Sequence, residues 1–367
     1  MLRVMDPSRL RARASGRERC PCCPDGLAED ARARCAGLLT AALLFGPLLL
    51  MIWLQRRRDV DGTRGPGRRS SVPAAEPNAL SGRGSGGCSA ADPVAGITSG
   101  VKIVLTGDGA EAARLVADEI LAALRAKPNL VLGLPTGSTP IGVYEHLRAA
   151  YAAGEADFSR VHTFNLDEYL DLPAEHPQSY RFFMQEHLFS GVNVPAENIH
   201  FPPSEGDDLV RRCAEYEETI ERVGGIDIML LGMGRNGHIG FNEPTSSLAS
   251  RTRVKTLTRR TLDDNARFYA EGEEQPVLAT TMGIGTILDA RKILLQAIGA
   301  KKARAVQAAV EGPVSSFFPA SALQLHPDVT CYFDPEAAEL LRMKDYYRST
   351  RAHELRLKAE GRLAARS

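Results

Sequence analysis

His238 and Glu243 stand five residues apart within residues 232–244, GMGRNGHIGFNEP. An imidazole beside a carboxylate is an acid/base pair, because the ring gains and loses a proton near neutral pH. Gly232, Gly234, Gly237 and Gly240 let the same stretch bend sharply and bring backbone close to a ligand. The apolar run 226–231 ahead of it reads as a buried strand. A strand that empties into such a loop is how an open α/β sheet builds a site at its carboxyl edge. Glycine spacing alone leaves an ordinary turn with an incidental His as an equal reading.

Two more stretches carry chemistry. The apolar run 130–134 leads into Pro135-Thr136-Gly137-Ser138-Thr139-Pro140, and helical periodicity starts at Ile141. Gly137 gives the turn, and Ser138 and Thr139 place hydroxyls and N–H groups where a helix N-terminus attracts phosphate. The plainer reading is a Ser or Thr helix cap. Asp167 and Glu168 stand together in residues 163–169, TFNLDEY, at the end of another strand. Adjacent acids are not typical strand residues. A partly buried one is a candidate general base; a solvated Asp-Glu turn is the alternative.

The elements that must hold these loops alternate. A strand over 101–105 precedes a helix over 110–126, which stops before Pro128. Strand and helix then keep alternating, which predicts a mainly parallel sheet covered on both faces. A further Gly-rich turn, Met282-Gly283-Ile284-Gly285, is expected to pack near the site. Residues 348–367 read as a charged helical tail on the surface.

From residue 101 to 347 the chain resembles the glucosamine-6-phosphate deaminase family. The resemblance rests on residues 134–140 (LPTGSTP), 164–169 (FNLDEY), 237–244 (GHIGFNEP), 246–256 (SSLASRTRVKT), 307–312 (QAAVEG) and 322–327 (ALQLHP), in that order. It implies an α/β fold, a Rossmann-like doubly wound sheet with helices on both faces. It also implies conversion of D-glucosamine 6-phosphate and water to D-fructose 6-phosphate and ammonia. No dinucleotide fingerprint accompanies the fold, so no NAD, other cofactor or catalytic metal is expected.

The same resemblance implies roles. Asp167 matches the base at C2, His238 the acid/base that opens the sugar ring, and Glu243 the residue that orients His238. Asn236 stands where some members carry Asp; it can hydrogen-bond but brings no charge, so Glu243 carries more of the tuning. Gly137, Ser138, Thr139, Arg267 and Lys302 match the phosphate site. Ser246, Arg253 and Lys255 match residues that hold an N-acetylglucosamine 6-phosphate effector between subunits, which implies a homo-oligomer.

Residues 1–100 differ from the rest. An Arg-rich start holds Cys20, Cys22 and Cys23 without a second ligand pair, so a metal cluster there is not favoured. The apolar run 35–54 is long enough to cross a bilayer, and residues 59–100 read as a Gly, Ser, Pro and Arg-rich linker. Three readings of the run compete: a membrane anchor, a signal-peptide core, or a start assigned upstream of the true one. Positive residues after the run place the catalytic region in the cytoplasm, free or tethered. Lys plus Arg and Asp plus Glu both number 45, so no net charge draws nucleic acid. A 6-phosphogluconolactonase would be expected to show Asp-Glu-Arg and Gly-His-Thr-Ala-Ser; here Tyr169 follows the acids and Gly240-Phe241-Asn242-Glu243 follows His238. A non-catalytic sugar-phosphate sensor would need a helix-turn-helix module, which residues 1–100 do not show.

Overall fold

The computed structural model describes residues 100–259, 261–262 and 275–363. The cysteine cluster, the apolar run 35–54, the linker up to residue 99 and Arg267 lie outside the described residues. The described strands are β1 Gly100–Leu105, β2 Val131–Leu134, β3 His162–Asn165, β4 Asp167–Tyr169, β5 Ile199–His200, β6 Ile228–Gly232, β7 Arg253–Thr256, β8 Leu278–Thr281, β9 Lys292–Ala297 and β10 Asp328–Phe333. The helices are α1 Gly109–Ala126, α2 Ile141–Ala152, α3 Tyr180–His187, α4 Leu209–Arg222, α5 Ile284–Leu288, α6 Ala303–Glu311 and α7 Lys344–Ala359.

Seven strands make one parallel sheet in the order β1-β10-β9-β6-β2-β3-β5. Side chains alternate across it, as a period of two requires. Leu132, Ile228, Leu230 and Leu294 face one side, against Ile120 of α1, Leu147 of α2 and Met184 of α3. Met229, Leu231, Ile293 and Leu295 face the other, with Tyr216 and Ile220 of α4 and Val306 of α6. Burying each such side chain stabilises by roughly 1.5–3 kcal/mol. The doubly wound, two-faced sheet expected from the alternation is therefore present. Helix α1 begins where expected, with Asp108 accepting the N–H of Glu111 at 2.7 Å.

The winding reverses beside β2. The chain runs out through β3 to β5, then returns to place β6 on the opposite side of β2. Loops leaving β2 and β6 diverge, and that crevice is where such sheets bind ligands.

The Asp-Glu-Tyr segment corrects a sequence expectation. It is a strand in its own right, not a turn after one. β4 pairs antiparallel with β8, and β8 with β7, in a separate three-stranded sheet. Glu168 tolerates the strand because it caps a helix. Its carboxylate accepts the N–H groups of Tyr169 at 2.9 Å, Tyr180 at 2.9 Å and Arg181 at 3.0 Å, the last two at the start of α3. The C-terminal helix starts at Lys344, ahead of residue 348. It is tied to the domain by Tyr347, whose hydroxyl donates to Glu311 at 3.1 Å, and by Glu354 beside Lys102 at 3.9 Å. Among the described residues no helix is long and apolar enough to cross a membrane.

Candidate active site

The loops after β2, β3, β6, β9 and β10 all leave the same edge of the parallel sheet and surround a cavity of about 610 Å³. Ser138, Thr139, Asp167, His238 and Lys302 all line it. The structure thus brings together residues the sequence places up to 164 positions apart, from Ser138 to Lys302.

Each loop has a local reason for its shape. Gly137 adopts a φ of 98°, which a side chain would oppose. The residue that caps α2 is Pro140, and no side chain caps it. The plain reading of Ser138 or Thr139 as an ordinary cap therefore fails, and both residues line the cavity. The loop after β6 is held by Gly234, whose N–H donates to the carbonyl of His238 at 2.9 Å. A Cβ on Gly234 would stand 2.2 Å from Cε1 of His238 and 2.4 Å from both ring nitrogens. The missing side chain is the space the imidazole occupies.

The acid/base residues fall into one network and one isolated group. His238 Nδ1 lies 3.6 Å from Glu243 Oε2, an ion-pair spacing longer than a hydrogen bond. Asn236 Nδ2 donates to that same Oε2 at 2.6 Å, and Asn236 Oδ1 accepts the backbone N–H of His238 at 3.2 Å. Asn236 thus bridges the pair with a neutral amide, where an ionised Asp would face the carboxylate. Glu243 is only 2% exposed. Burial acts to raise its carboxyl, but His238, Thr261 and Asn236 together outweigh it and hold the group at about 2.

Asp167 is the opposite case. It is 6% exposed, and among the described residues no hydrogen-bond donor reaches its carboxylate. Burial, with the neighbouring Glu168 charge, pushes it up to about 8. Two carboxyls, one lining the cavity and one 3.6 Å from the His238 that lines it, with pKa values driven apart are a pattern of acid/base sites.

The small sheet aligns Asp167 with the His238 loop. Asp167, Thr281 and Arg253 are register partners across β4, β8 and β7. Each meets a successive residue of the His238 loop. Asp167 Oδ2 stands 3.3 Å from where a Cβ of Gly240 would be. Thr281 Oγ1 accepts the N–H of Phe241 at 3.0 Å, and Arg253 Nη1 donates to Asn242 Oδ1 at 2.9 Å. Asn242 completes the grip by donating to the carbonyl of Met282 at 2.8 Å, so the Gly-rich turn expected near the site does support it. Ser246 is buried and its hydroxyl has no hydrogen-bond partner among the described residues, while Lys255 is half-buried on β7.

Lys302 ends a short turn after β9 and lines the cavity. Asp334 accepts the N–H of Gly299 at 3.0 Å and Glu336 that of Ala300 at 3.1 Å, which fixes the turn. Sequence reasoning read Gly234 only as a turn residue, and did not single out Thr281, Asp334, Glu336 or the hydroxyls of Thr258 and Thr261. None of the latter lies in a string that points to chemistry.

A model of the family described as glucosamine-6-phosphate isomerases/6-phosphogluconolactonase matches residues 109–331. A glucosamine-6-phosphate deaminase from Shewanella loihica is 55% identical over 265 residues, covering 72% of this chain and 98% of its own. The chain belongs to this family. A glucosamine-6-phosphate deaminase from Thermoanaerobacter pseudethanolicus is 47% identical over 245 residues, 67% of this chain and 97% of its own. Among solved structures, one described as a monomeric glucosamine-6-phosphate deaminase is 42% identical, with a TM-score of 0.63, over 65% of this chain and 99% of its own. The 6-phosphogluconolactonase from Trypanosoma cruzi has a TM-score of 0.55 at 21% identity, over 67% of this chain and 98% of its own, and shares the fold.

Proposed function

We propose that the protein converts D-glucosamine 6-phosphate and water to D-fructose 6-phosphate and ammonia, within amino-sugar breakdown. The observation that carries this reading is that an isolated, protonation-prone Asp167 lines the same cavity as His238, which is networked to Glu243. An aldose–ketose shift coupled to amine loss needs both. His238 moves a proton between the ring oxygen and O1 to open the sugar. Asp167 then takes the C2 proton and returns one to C1, which its rigid strand position permits. Glu243 and Asn236 orient His238. The phosphate sits against Gly137, Ser138 and Thr139 and the Lys302 ammonium, with Arg267 as a second cation.

An effector phosphate at Ser246, Arg253 and Lys255 belongs to the same proposal, as do a homo-oligomer and a cytoplasmic setting. Ser246 supports the effector site through its buried hydroxyl, which has no partner among the described residues. Arg253 already serves Asn242, so an effector would act on the catalytic loop through it.

The test is direct. Purified protein given glucosamine 6-phosphate should release ammonia and fructose 6-phosphate in equal amounts, and should leave 6-phosphogluconolactone intact. Lactone hydrolysis without ammonia would replace this reading with the lactonase one. His238→Gln should slow turnover of the cyclic sugar far more than of an open-chain analogue, and equal losses would remove His238 from ring opening.

A further inference from the structure

Glu243 gives its two oxygens to different parts of the chain. Oε2 accepts Asn236 and faces His238, both on its own loop. Oε1 accepts two hydroxyls from the turn that follows β7: Thr258 Oγ1 at 3.2 Å, and Thr261 Oγ1 in a short hydrogen bond. The hydroxyls are 3.2 Å from each other, and Thr258 Oγ1 also accepts the backbone N–H of Thr261 at 3.3 Å. Thr261 is buried and lines the cavity.

Capping explains only part of this. A threonine that caps a helical turn needs its hydroxyl to meet one N–H two or three residues on. Thr258 does that, but the bonds from both hydroxyls to a catalytic-loop carboxylate go beyond it. The terminal torsion of a Glu side chain is broad, so a carboxylate held at one oxygen alone turns easily. Donors on both oxygens lock it. We propose that Thr258 and Thr261 are positioning residues that act through Glu243. They fix the carboxylate so that Oε2 faces His238, and their hydrogen bonds favour its ionised form. The proposal rests on the reading of His238 and Glu243 above.

The test uses the full chain with glucosamine 6-phosphate, comparing Thr261→Val, Thr261→Ser, Thr258→Val, the double Val variant and Glu243→Gln. Thr261→Val keeps the shape and removes the donor. Its kcat should fall about ten-fold, the scale of one charge-assisted hydrogen bond, with KM unchanged. Its acidic limb should move to higher pH, because a carboxylate stripped of donors protonates more readily. Thr261→Ser should restore most of kcat. Thr258→Val should lose less, in line with its longer contact, and it carries the test if Thr261→Val does not fold. Wild-type kcat in both single variants and the double variant, with Glu243→Gln impaired, would overturn the proposal. A loss that Ser does not rescue and that leaves the pH profile unmoved would overturn it too, by making the hydroxyls fold contacts. Full activity in Glu243→Gln would instead refute the underlying reading of the acid/base pair.

Discussion

Asp167 and Glu243 are both buried carboxyls of one site, Asp167 on β4 lining the cavity and Glu243 beside the His238 that lines it, yet they are built to opposite ends. Asp167 stands on a strand with no donor among the described residues reaching it, and burial drives its carboxyl up to about 8. Glu243 accepts Asn236, Thr258 and Thr261 and faces His238, and is held at about 2. Burial alone therefore does not set the state of a carboxyl: at Glu243 the neighbouring His238 and the side-chain donors outweigh it, and at Asp167 nothing comparable does. The difference matches the work proposed for each. A group that takes and returns a proton gains from a pKa near the working pH, whereas one that orients an imidazole gains from staying charged.

The largest expected effect removes the isolated carboxyl. Asp167→Asn should bind the sugar phosphate and lose about 10²–10⁴-fold in turnover, since an amide cannot accept the C2 proton. Ammonia release at a near-normal rate would end the assignment. The same contrast predicts a pH profile. Asp167 must be ionised to act as a base, so kcat/KM should rise as pH increases through about 8. A profile flat across that range would show that the free carboxyl is not the limiting group.

A second change disturbs the network side without touching a charge. Gly234→Ala puts a methyl group 2.2 Å from the His238 ring, so the imidazole must move. A shift of about 1 Å in a catalytic group costs about a hundred-fold, so turnover should drop on that scale while KM holds. Retained turnover would mean that the ring has room the structure does not give it.

The phosphate end should respond differently from both. Lys302→Ala should raise KM about ten-fold or more, on the scale of one charge-assisted contact of about 1.5–3 kcal/mol, and leave kcat nearly unchanged. A variant that loses kcat instead would move Lys302 from holding phosphate to the chemistry.

Much of this site was legible in the sequence because its parts are local. The strand-to-Gly-loop junctions at Gly137 and Gly232 mark sheet edges by composition alone, and the alternation of apolar runs gives the parallel sheet. The Asp167 segment was not legible as a strand. Its paired acids argue against one, and the reason they are allowed lies in α3, whose first N–H groups Glu168 accepts. Gly234 was legible as a turn residue but not as the space for an imidazole, because that depends on where His238 folds back. Thr258 and Thr261 lie 15 and 18 residues beyond Glu243, and no spacing rule links hydroxyls to a carboxylate at that range.

The smallest expected effects are on stability, and there the two carboxyls should differ in sign. The folded chain holds Asp167 protonated up to about 8, while an unfolded chain releases that proton near the ordinary value of 3.8. Between those values the unfolded state binds fewer protons, so this group lowers stability progressively as pH rises. For Glu243 the folded value of about 2 lies below the ordinary 4.5, so its contribution is full above 4.5 and is lost as pH falls through about 2. At pH values well above 4.5, Asp167→Asn should therefore raise the melting temperature by a few degrees, and increasingly so toward pH 8. Glu243→Gln should lower it, because the donors on its loop lose a charged acceptor. Thermal melts of both variants at a series of pH values decide the point. Shifts of the same sign would show that burial, not the surrounding donors, governs both groups, and the contrast between them would fail.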